Sequence, residues 1–391
     1  GWDRSHATIR LRDARVRGLL GAEIPRARSA EILTALGFGV AEAPDGLDVT
    51  VPPFRRNDVC READLIEEVA RIDGLDKLPA TLPPRRGAVG RLTPWQRLRR
   101  TAADTLAGAG LREVVGWSWS PPDLADRLRL PADDPRRRAV RVENPMSAEQ
   151  GQLRTTLIGS LLDVAHRNVT HGMDDVAIFE SGAVYEPSED GALPREPHHL
   201  AALLTGAVRP ASWREPQPPT ADFFVAKGIL AHLLDALGVR WHVVPEAEPF
   251  LHPGRAARVV LRAPDGEERP AGWLGELHPA VAGAWDLGRT AAFSLDLGAV
   301  LAATPGPATY EDYASFPEVR QDLAVVVGED VPAAEVLRVV RDAGGPLLAS
   351  AEVFDVYRGE QVGAGRVSLA LRLAFRSPER TLTDEEVAER R

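Results

Sequence analysis

The sequence has one cysteine, Cys60, among 391 residues. A single thiol cannot form an internal disulfide, so a disulfide-stapled secreted scaffold is excluded and a reducing compartment is favoured. No stretch approaches the roughly 18 consecutive apolar residues that a transmembrane helix requires. These absences predict a globular protein of the cytoplasm with no membrane-spanning segment.

Lysine is almost as scarce, with Lys77 and Lys227 alone against 45 arginines, which is 47 basic residues minus 2. The formal net charge is -10. This charge excludes a surface that coats nucleic acid with uniform positive potential, so any contact with RNA must be local. Because 44% of the residues are hydrophobic, a chain of this length buries more than one core, and we expect two or three domains.

Two proline-rich stretches, 79–91 and 303–312, divide the sequence into three regions. The first region, 6–80, combines helical segments with a short strand that ends at two prolines. The second opens with TPWQ at Thr93, which predicts an N-cap, a proline at the first helical position and a capping-box partner. It continues as mixed helices and strands, with a helix expected over Leu153 to Asn168.

The third region has the order strand, helix, strand, strand, helix, which favours a ferredoxin-like α+β sandwich without its final strand. Apolar residues alternate in QDLAVVVG, whereas AAEVLRVVRDAGG has a helical period and ends in glycines. The chain begins with Gly1 and stops inside a helical pattern, TDEEVAERR. We therefore expect a fragment of a longer protein at both ends.

The stretch NDVCREADLIEEVARIDG, residues 57–74, is acidic, and four of its carboxylates are candidate ligands: Asp58, Asp64, Glu67 and Glu68. The opposite side of the predicted helix is apolar: Leu65, Ile66, Val69 and Ile72. Two interpretations remain open. Either the acidic face is solvated and salt-bridged, since Arg71 stands four residues after Glu67, or it binds a hard cation. Oxygen ligands without histidine or thiolate suit magnesium or calcium.

A second candidate site lies in GRVSLALRLAFRS. Its alternate residues Val367 to Phe375 are apolar, while Ser368, Arg372 and Arg376 share the other face of the predicted strand. Between positions 356 and 380 there are five arginines and two glutamates, a local excess of 5 minus 2, or +3. This surface is either an ordinary solvated sheet face or a binding surface for phosphate groups.

Longer motifs carry a family resemblance. VPPFRRNDVCREADLIEEVARIDGLDKLP resembles the signature of the B5 domain in the β chain of bacterial phenylalanyl-tRNA synthetases. ENPMSAEQGQLRTTLIGSLLDVAHRN, IFESGAVYEP and AGWLGELHP resemble the following signatures of that family, in order. The third region, from SFPEVRQDLAVVV to RTLTDEEV, resembles its ferredoxin-fold anticodon-binding domain. The similarity spans essentially the whole chain, and several long motifs in family order are far more specific than one short pattern.

The resemblance implies a multidomain α+β fold. A winged-helix-like B5 domain is expected over 1–82, a linker over 83–92, and a class II synthetase-like antiparallel sheet with helices over 93–303. A ferredoxin-fold anticodon-binding domain, incomplete at its C-terminal end, is expected over 304–391. The central domain of the family's β chain is noncatalytic, so no catalytic residue is expected here.

The resemblance also implies a function, the β subunit of an (αβ)2 phenylalanine–tRNA ligase in the cytoplasm. ATP would be a substrate of the complex, the catalytic α chain its partner and tRNA(Phe) its RNA. A magnesium ion, in a site shared with the α chain, is expected at Asp58, Asp64, Glu67 and Glu68. The tRNA is expected at six arginines: Arg320, Arg358, Arg366, Arg372, Arg376 and Arg380.

The residues themselves argue against an active site in the central region. Class II synthetases need arginines to clamp the phosphates of ATP, but LGELHPAVAGAWDLG is followed by an arginine only at Arg289, and VAIFESG has none. Arg154 is either a surviving phosphate clamp or, as we prefer, the ion-pair partner of Glu149 or Glu180. Gln321 replaces an arginine usual in the family, which puts a phosphate contact in doubt.

Two rival functions remain at this point. A stand-alone nucleic-acid-binding regulator is compatible with a winged-helix-like first region and an RNA-binding last region, and a self-sufficient ligase would carry its own active site. The tRNA-binding and editing modules that precede these domains in the family have no counterpart in the sequence. We therefore expect no hydrolysis of mischarged Tyr-tRNA by this chain.

Overall fold

The computed structural model describes residues 7–81, 90–188, 193–306, 310 and 315–390. It divides into two compact units between Arg91 and Leu92. Most of the linker predicted over 83–92 lies outside the described residues. No helix in the described ranges is both long and apolar enough to cross a membrane.

The first unit packs three helices on a three-stranded antiparallel sheet of order β1-β3-β2. Its elements are β1 (Thr8–Arg12), α1 (Asp13–Leu20), α2 (Arg26–Ala35), β2 (Gly39–Ala43), β3 (Gly46–Thr50) and α3 (Glu62–Asp73), with short 3-10 helices at Pro53–Arg55 and Leu75–Lys77. Strand β3 ends before the two prolines, as predicted. Gly46 is required, because a Cβ atom there would lie 1.9 Å from the Leu11 carbonyl oxygen. The winged-helix description of this unit stays a prediction.

The central region, residues 92–306, is built on a seven-stranded sheet of order β4-β7-β8-β12-β11-β10-β9. Its strands are β4 (Arg112–Glu113), β5 (Trp119–Ser120), β6 (Gln152–Leu153), β7 (Val176–Ala183), β8 (His198–Thr205), β9 (Arg240–Pro245), β10 (Leu251–Arg262), β11 (Glu268–Leu277) and β12 (Thr290–Asp296). Its helices are α4 (Pro94–Gly108), α5 (Leu124–Arg127), α6 (Ile158–Thr170), α7 (Phe223–Ala236), α8 (Pro279–Gly283) and α9 (Leu297–Ala303). The pairings in the large sheet are antiparallel, except that β4 runs parallel to β7, and β5 and β6 form a separate ribbon.

Both faces of the central sheet are covered. Leu200 and Ala202 face a core shared with α4, α7 and α9, whereas Ala201 and Leu203 face a second core shared with α6 and α8. This alternation is the two-residue period of a strand buried on both sides. The central sheet is therefore buried on both faces.

Two predictions for the central region had different outcomes. The start of α4 is confirmed, since Gln96 N donates to Thr93 Oγ1 at 3.2 Å and Thr93 N donates to Gln96 Oε1 at 2.9 Å. The helix predicted from Leu153 was wrong at its start, because α6 begins at Ile158. Leu153 pairs with Trp119 in the β5–β6 ribbon instead, a long-range pairing that overrides the local helical pattern.

The last region, residues 315–390, has the predicted element order. It contains β13 (Val319–Gly328), α10 (Ala333–Gly344), β14 (Leu348–Tyr357), β15 (Arg366–Phe375) and α11 (Asp384–Arg390). The sheet is antiparallel with order β13-β15-β14. Alternate residues of β15 pack with α10 and Val387 into one core on one face of the sheet. The other face of the sheet is open.

Candidate functional site

The acidic stretch of the first unit forms α3, which begins at Glu62 and ends at Asp73, followed by Gly74 with a φ of 119°. The apolar residues of its buried face are Leu65, Ile66, Val69 and Ala70. The side chain of Asp64 closes the first turn, because its Oδ2 atom accepts from the backbone N–H groups of Cys60 and Arg61 at 2.9 and 2.7 Å. One of the four predicted metal ligands therefore caps the helix.

Arg55 and Arg71 neutralise the buried carboxylate of this helix. Glu68 is only 6% exposed. Its Oε1 atom lies 3.0 Å from Arg55 Nη2, and its Oε2 atom accepts from Arg71 Nη2 at 2.6 Å. Arg55 also donates from Nε to Asp58 at 2.8 Å. The Arg55 guanidinium is the main reason that the pKa of Glu68 is lowered to about 2, so the ion-paired form persists at neutral pH.

Asp64 and Glu67 differ in their partners. Asp64 Oδ1 accepts from Arg61 Nη2 at 2.8 Å, and the Arg61 side chain, followed by the Cys60 backbone N–H, lowers the pKa of Asp64 to about 2. Glu67 is exposed. Within the described ranges, no group of three or more His, Cys, Asp or Glu side chains lies where it could hold a metal ion. The four carboxylates therefore do not fit a preformed cation site built by this chain alone.

Two expectations for α3 were wrong in detail. Arg71 pairs with Glu68, three residues before it, and not with Glu67, because the Glu68 carboxylate is nearly buried and gains more from a cation than an exposed one does. Ile72 was expected on the buried side but is 41% exposed, since it stands in the last turn of the helix.

The contact between β1 and α3 was not predictable from the sequence. Glu62 accepts from the backbone N–H of Arg12 at 2.8 Å, and from Arg12 Nε and Nη2 at 3.0 and 2.6 Å. The two residues are 50 positions apart, beyond any local pattern. This bidentate pair ties the end of β1 to the first turn of α3.

The open face of the last sheet is defined by the register of its strands, because residues directly opposite each other share a face. Asp322 lies opposite Arg372, Arg320 opposite Ala374, and Tyr357 opposite Ser368. We call this surface, with Arg366 at its edge, the open sheet face. Gln321 lies opposite the buried Leu373, so the departure from the family pattern falls on the other face.

Most of the predicted RNA-binding arginines already have acidic partners. Arg372 donates from Nε and Nη2 to Asp322 at 3.1 and 3.2 Å. Arg320 donates to Glu318 at 2.7 Å. Arg366 is exposed and has no ion pair in the part of the chain that the structure describes. The open sheet face thus brings together three of the six arginines.

The other three arginines lie beyond the strands. Each has an acidic partner. Arg376 Nη2 donates to Glu318 at 3.2 Å, and Arg358 Nε lies 3.7 Å from Glu329 Oε1. Arg380 donates to Glu386 from both Nη atoms, at 2.7 and 2.6 Å. The local excess of +3 omitted these acids, because Glu318, Glu329 and Glu386 stand outside the counted window. The electrostatic attraction for phosphate is therefore weaker than the count indicates.

Sequence reasoning missed two aromatic residues on the same surface. Phe354 and Tyr357 are 46% and 47% exposed, and the Arg372 guanidinium lies 4.4 Å from the centre of the Phe354 ring. A bulge between Val353 and Asp355 breaks the alternation of β14, which hides the pattern in the sequence. Exposed rings beside a cation are the chemistry on which unpaired RNA bases stack.

The candidate phosphate clamp of the central region is buried. Arg154 is 4% and Glu180 is 2% exposed, and Arg154 Nη1 donates to Glu180 Oε1 at 2.6 Å. Arg154 Nε also donates to the Ala183 carbonyl at 3.0 Å, and the Gly116 N–H donates to Glu180 at 3.1 Å. The preferred interpretation, an ion pair with Glu180, is confirmed. A guanidinium in this position has no access to a nucleotide in solvent.

Comparisons with known proteins support the three-part organisation. Residues 78–297 match the family model described as "Phenylalanyl tRNA synthetase beta chain CLM domain". Residues 9–75 match the "tRNA synthetase B5 domain", and residues 314–391 match the "Ferredoxin-fold anticodon binding domain". The three matches follow one another along the chain in the order that the motifs predict.

Curated relatives match nearly the whole chain. The "Phenylalanine--tRNA ligase beta subunit" of Symbiobacterium thermophilum is 42% identical over 96% of this chain and 41% of its own length. The proteins of the same name from Geobacillus kaustophilus and Moorella thermoacetica are 39% and 42% identical, over 99% and 98% of this chain and 47% of their own lengths. The chain thus spans less than half the length of these relatives. The resemblance in the motifs is confirmed, and the chain belongs to the phenylalanyl-tRNA synthetase beta chain family.

Proposed function

We propose that this chain is the part of a cytoplasmic phenylalanine–tRNA ligase β subunit that contains the B5, synthetase-like and anticodon-binding domains. It would support the ATP-dependent attachment of phenylalanine to tRNA(Phe) by holding a catalytic α chain in an (αβ)2 assembly and by binding the tRNA. The observation that carries this proposal is the series of three family matches, in order along the chain, over 9–75, 78–297 and 314–391. A stand-alone regulator is not favoured, since it would not need the large central domain.

The chain contributes no catalytic residue in this proposal. Catalysis of adenylate formation requires guanidinium groups aimed at phosphate charge that develops in the transition state. Arg154 instead donates to Glu180 and to backbone carbonyls. Arg289 Nε lies 3.6 Å from the carboxylate of the buried Glu276. The bond-making residues therefore belong to the α chain.

Two measurements test the scaffold proposal. The chain, co-expressed with a class II α chain of the same organism, should co-purify with it, and only the mixture should charge tRNA(Phe). ATP–pyrophosphate exchange that depends on phenylalanine and is catalysed by the purified lone chain would contradict the proposal. A control mixture with an unrelated class II synthetase should show no association.

We assign tRNA binding to the open sheet face. Phe354 and Tyr357 supply rings for stacking, Arg372 and Arg366 supply charge, and the sheet beneath them is fixed by a core on its other side. Arg320, Arg358, Arg376 and Arg380 complete the proposed set of phosphate contacts. Arg372→Ala with Arg376→Ala should weaken tRNA binding and flatten its salt dependence, whereas equal affinities at every ionic strength would contradict this assignment.

Magnesium binding at Asp58, Asp64, Glu67 and Glu68 remains a proposal for the assembled complex, because in this chain arginines occupy three of the four carboxylates. Glu67 provides a clean test, since Glu67→Gln leaves the arginine pairs intact. If the proposal holds, this variant lowers the magnesium dependence of α-chain association, and Glu23→Gln does not. An unchanged dependence in Glu67→Gln, and likewise in Asp64→Asn with Glu68→Gln, favours the salt-bridged interpretation.

A further inference from the structure

A hairpin-like connection with one isolated bridge, between Ala207 and Thr220, joins β8 to α7, and we call residues 206–221 the Trp213 hairpin. At its base Ala221 N donates to the Gly206 carbonyl at 2.8 Å, and Val208 N donates to the Pro219 carbonyl at 2.8 Å. The Ala207 N–H donates to Asp175 Oδ1 at 2.6 Å, which fixes the base beside β7. The hairpin is therefore anchored to the central sheet.

The tip of the hairpin is closed by reciprocal bonds. Ser212 N donates to the Glu215 carbonyl at 3.0 Å, and Glu215 N donates to the Ser212 carbonyl at 3.1 Å. Arg209 clamps the turn from the side, since its Nε and Nη2 atoms each donate to the Glu215 carboxylate at 2.6 Å. A bidentate pair of this kind restricts both side chains. The two residues between Ser212 and Glu215 are thus presented on a fixed turn.

Those two residues carry an unusual combination of groups. Trp213 is 85% exposed, and the guanidinium of Arg214 lies 4.9 Å from its ring centre. Arg214 has no carboxylate partner among the described residues, and the neighbouring acid, Glu215, is neutralised by Arg209. The tip therefore offers a flat indole and an available cation to whatever approaches it.

We propose that the Trp213 hairpin is a second RNA contact of this chain, in which the indole stacks on a nucleotide and Arg214 pairs with an adjacent phosphate. The proposal rests on the tRNA binding proposed above and adds a contact outside the ferredoxin-like region. Stacking on a tryptophan suits any unpaired base, because every base has a π face. The charge also fits, since the hairpin carries two arginines and one glutamate within a chain of net charge -10.

The test uses the chain in complex with its α chain and a fluorescent tRNA(Phe). Trp213→Ala should weaken binding at least about fivefold, the range expected when one stacked base loses its ring, whereas Trp213→Phe should stay within about twofold. Arg214→Gln should reduce the slope of log Kd against log salt by about 0.7 to 0.9. Phe224→Ala, which removes another exposed ring of the central region, is the matched control and should leave the affinity unchanged.

The outcomes separate this inference from the function on which it rests. If the unmodified complex binds tRNA and Trp213→Ala binds it equally well, the hairpin proposal is overturned and the proposed function stands. If the unmodified complex binds no tRNA, both are overturned. If Trp213→Ala instead releases the α chain while tRNA affinity is kept, the tip anchors a protein and the RNA proposal is overturned.

Discussion

The central region and the last region each contain an arginine–carboxylate pair, and the two pairs differ in their exposure to solvent. The side chains of Arg154 and Glu180 are 5% and 3% exposed, whereas those of Arg372 and Asp322 are 40% and 52% exposed. The donor and acceptor groups are the same. Burial decides whether such a pair serves the fold or remains open to exchange with a ligand.

The physical reason is the surrounding dielectric. Inside the protein an unpaired charge cannot be solvated, so removing one partner of a buried pair costs about 3–5 kcal/mol. At the surface water replaces the lost partner, and an exposed pair contributes about 0–1 kcal/mol. Phosphate can therefore compete with Asp322 for Arg372, while no ligand reaches Arg154.

Glu180→Gln should have the largest effect on stability. It leaves the Arg154 guanidinium buried without a counter-charge, so the free energy of unfolding should fall by about 3–5 kcal/mol. Denaturant unfolding of the chain, followed by tryptophan fluorescence, measures the change. The double variant Arg154→Met with Glu180→Leu should recover much of the loss. Unfolding of Glu180→Gln at the same denaturant concentration as the unmodified chain would contradict the role assigned to burial.

Glu68→Gln tests an intermediate case. The Glu68 side chain is 8% exposed, but its partners Arg55 and Arg71 are 21% and 47% exposed. Because water can solvate both arginines after the substitution, the loss should be about 1.5–3 kcal/mol, the range for hydrogen bonds to charged groups. Hydrogen exchange of the α3 amides should report faster opening. The exposed neighbour Glu67→Gln should change stability by less than about 0.5 kcal/mol, and equal effects of the two variants would contradict the role of burial.

Local chemistry was predictable from the sequence. At the start of α4, Thr93 and Gln96 hydrogen-bond to each other, and Pro94 between them has no N–H group to satisfy, so these bonds could be named in advance. The alternation in β15 likewise predicted which side chains are buried. Such features depend on neighbours in the chain, and no distant partner is needed to decide them.

Most features that depend on distant partners were not predictable, although the pair of Arg154 with Glu180 was named in advance as one of two alternatives. Leu153 forms a strand because Trp119 is available to pair with it. Arg71 pairs with Glu68 because packing buries that carboxylate beside Arg55. The strength of the basic patch was overestimated because Asp322 and Glu386 approach from outside the counted window. In each case the sequence shows a group and its charge but not what covers it.

His198 shows the effect of partial burial on a group that can lose its charge. Its Nε2 atom lies 3.0 Å from Ser181 Oγ, and desolvation, followed by the charge of Arg99, lowers the pKa of His198 to about 4. The pKa of histidine in the unfolded chain is about 6.5, so the unfolded state binds a proton at His198 more readily than the folded state does. The stability that the neutral His198 contributes is therefore fully present above pH 6.5 and is lost as the pH falls towards 4. His198→Gln should flatten the decrease of Tm in this window, and the exposed control His171→Gln should not. A parallel decrease in all three proteins would contradict this assignment.

The exposed pair should show the smallest change in stability and a gain in binding. Asp322→Asn removes the carboxylate that competes with phosphate for Arg372, so stability should change by less than about 1 kcal/mol while tRNA affinity rises about two- to fivefold at low salt. Titration of a labelled tRNA(Phe) at two salt concentrations measures both the gain and its screening. Asp265→Asn, an exposed carboxylate of the central region, should leave the affinity unchanged. Weaker binding by Asp322→Asn would mean that Asp322 orients Arg372 for the RNA, and the exposed pair would then be as fixed in its role as the buried one.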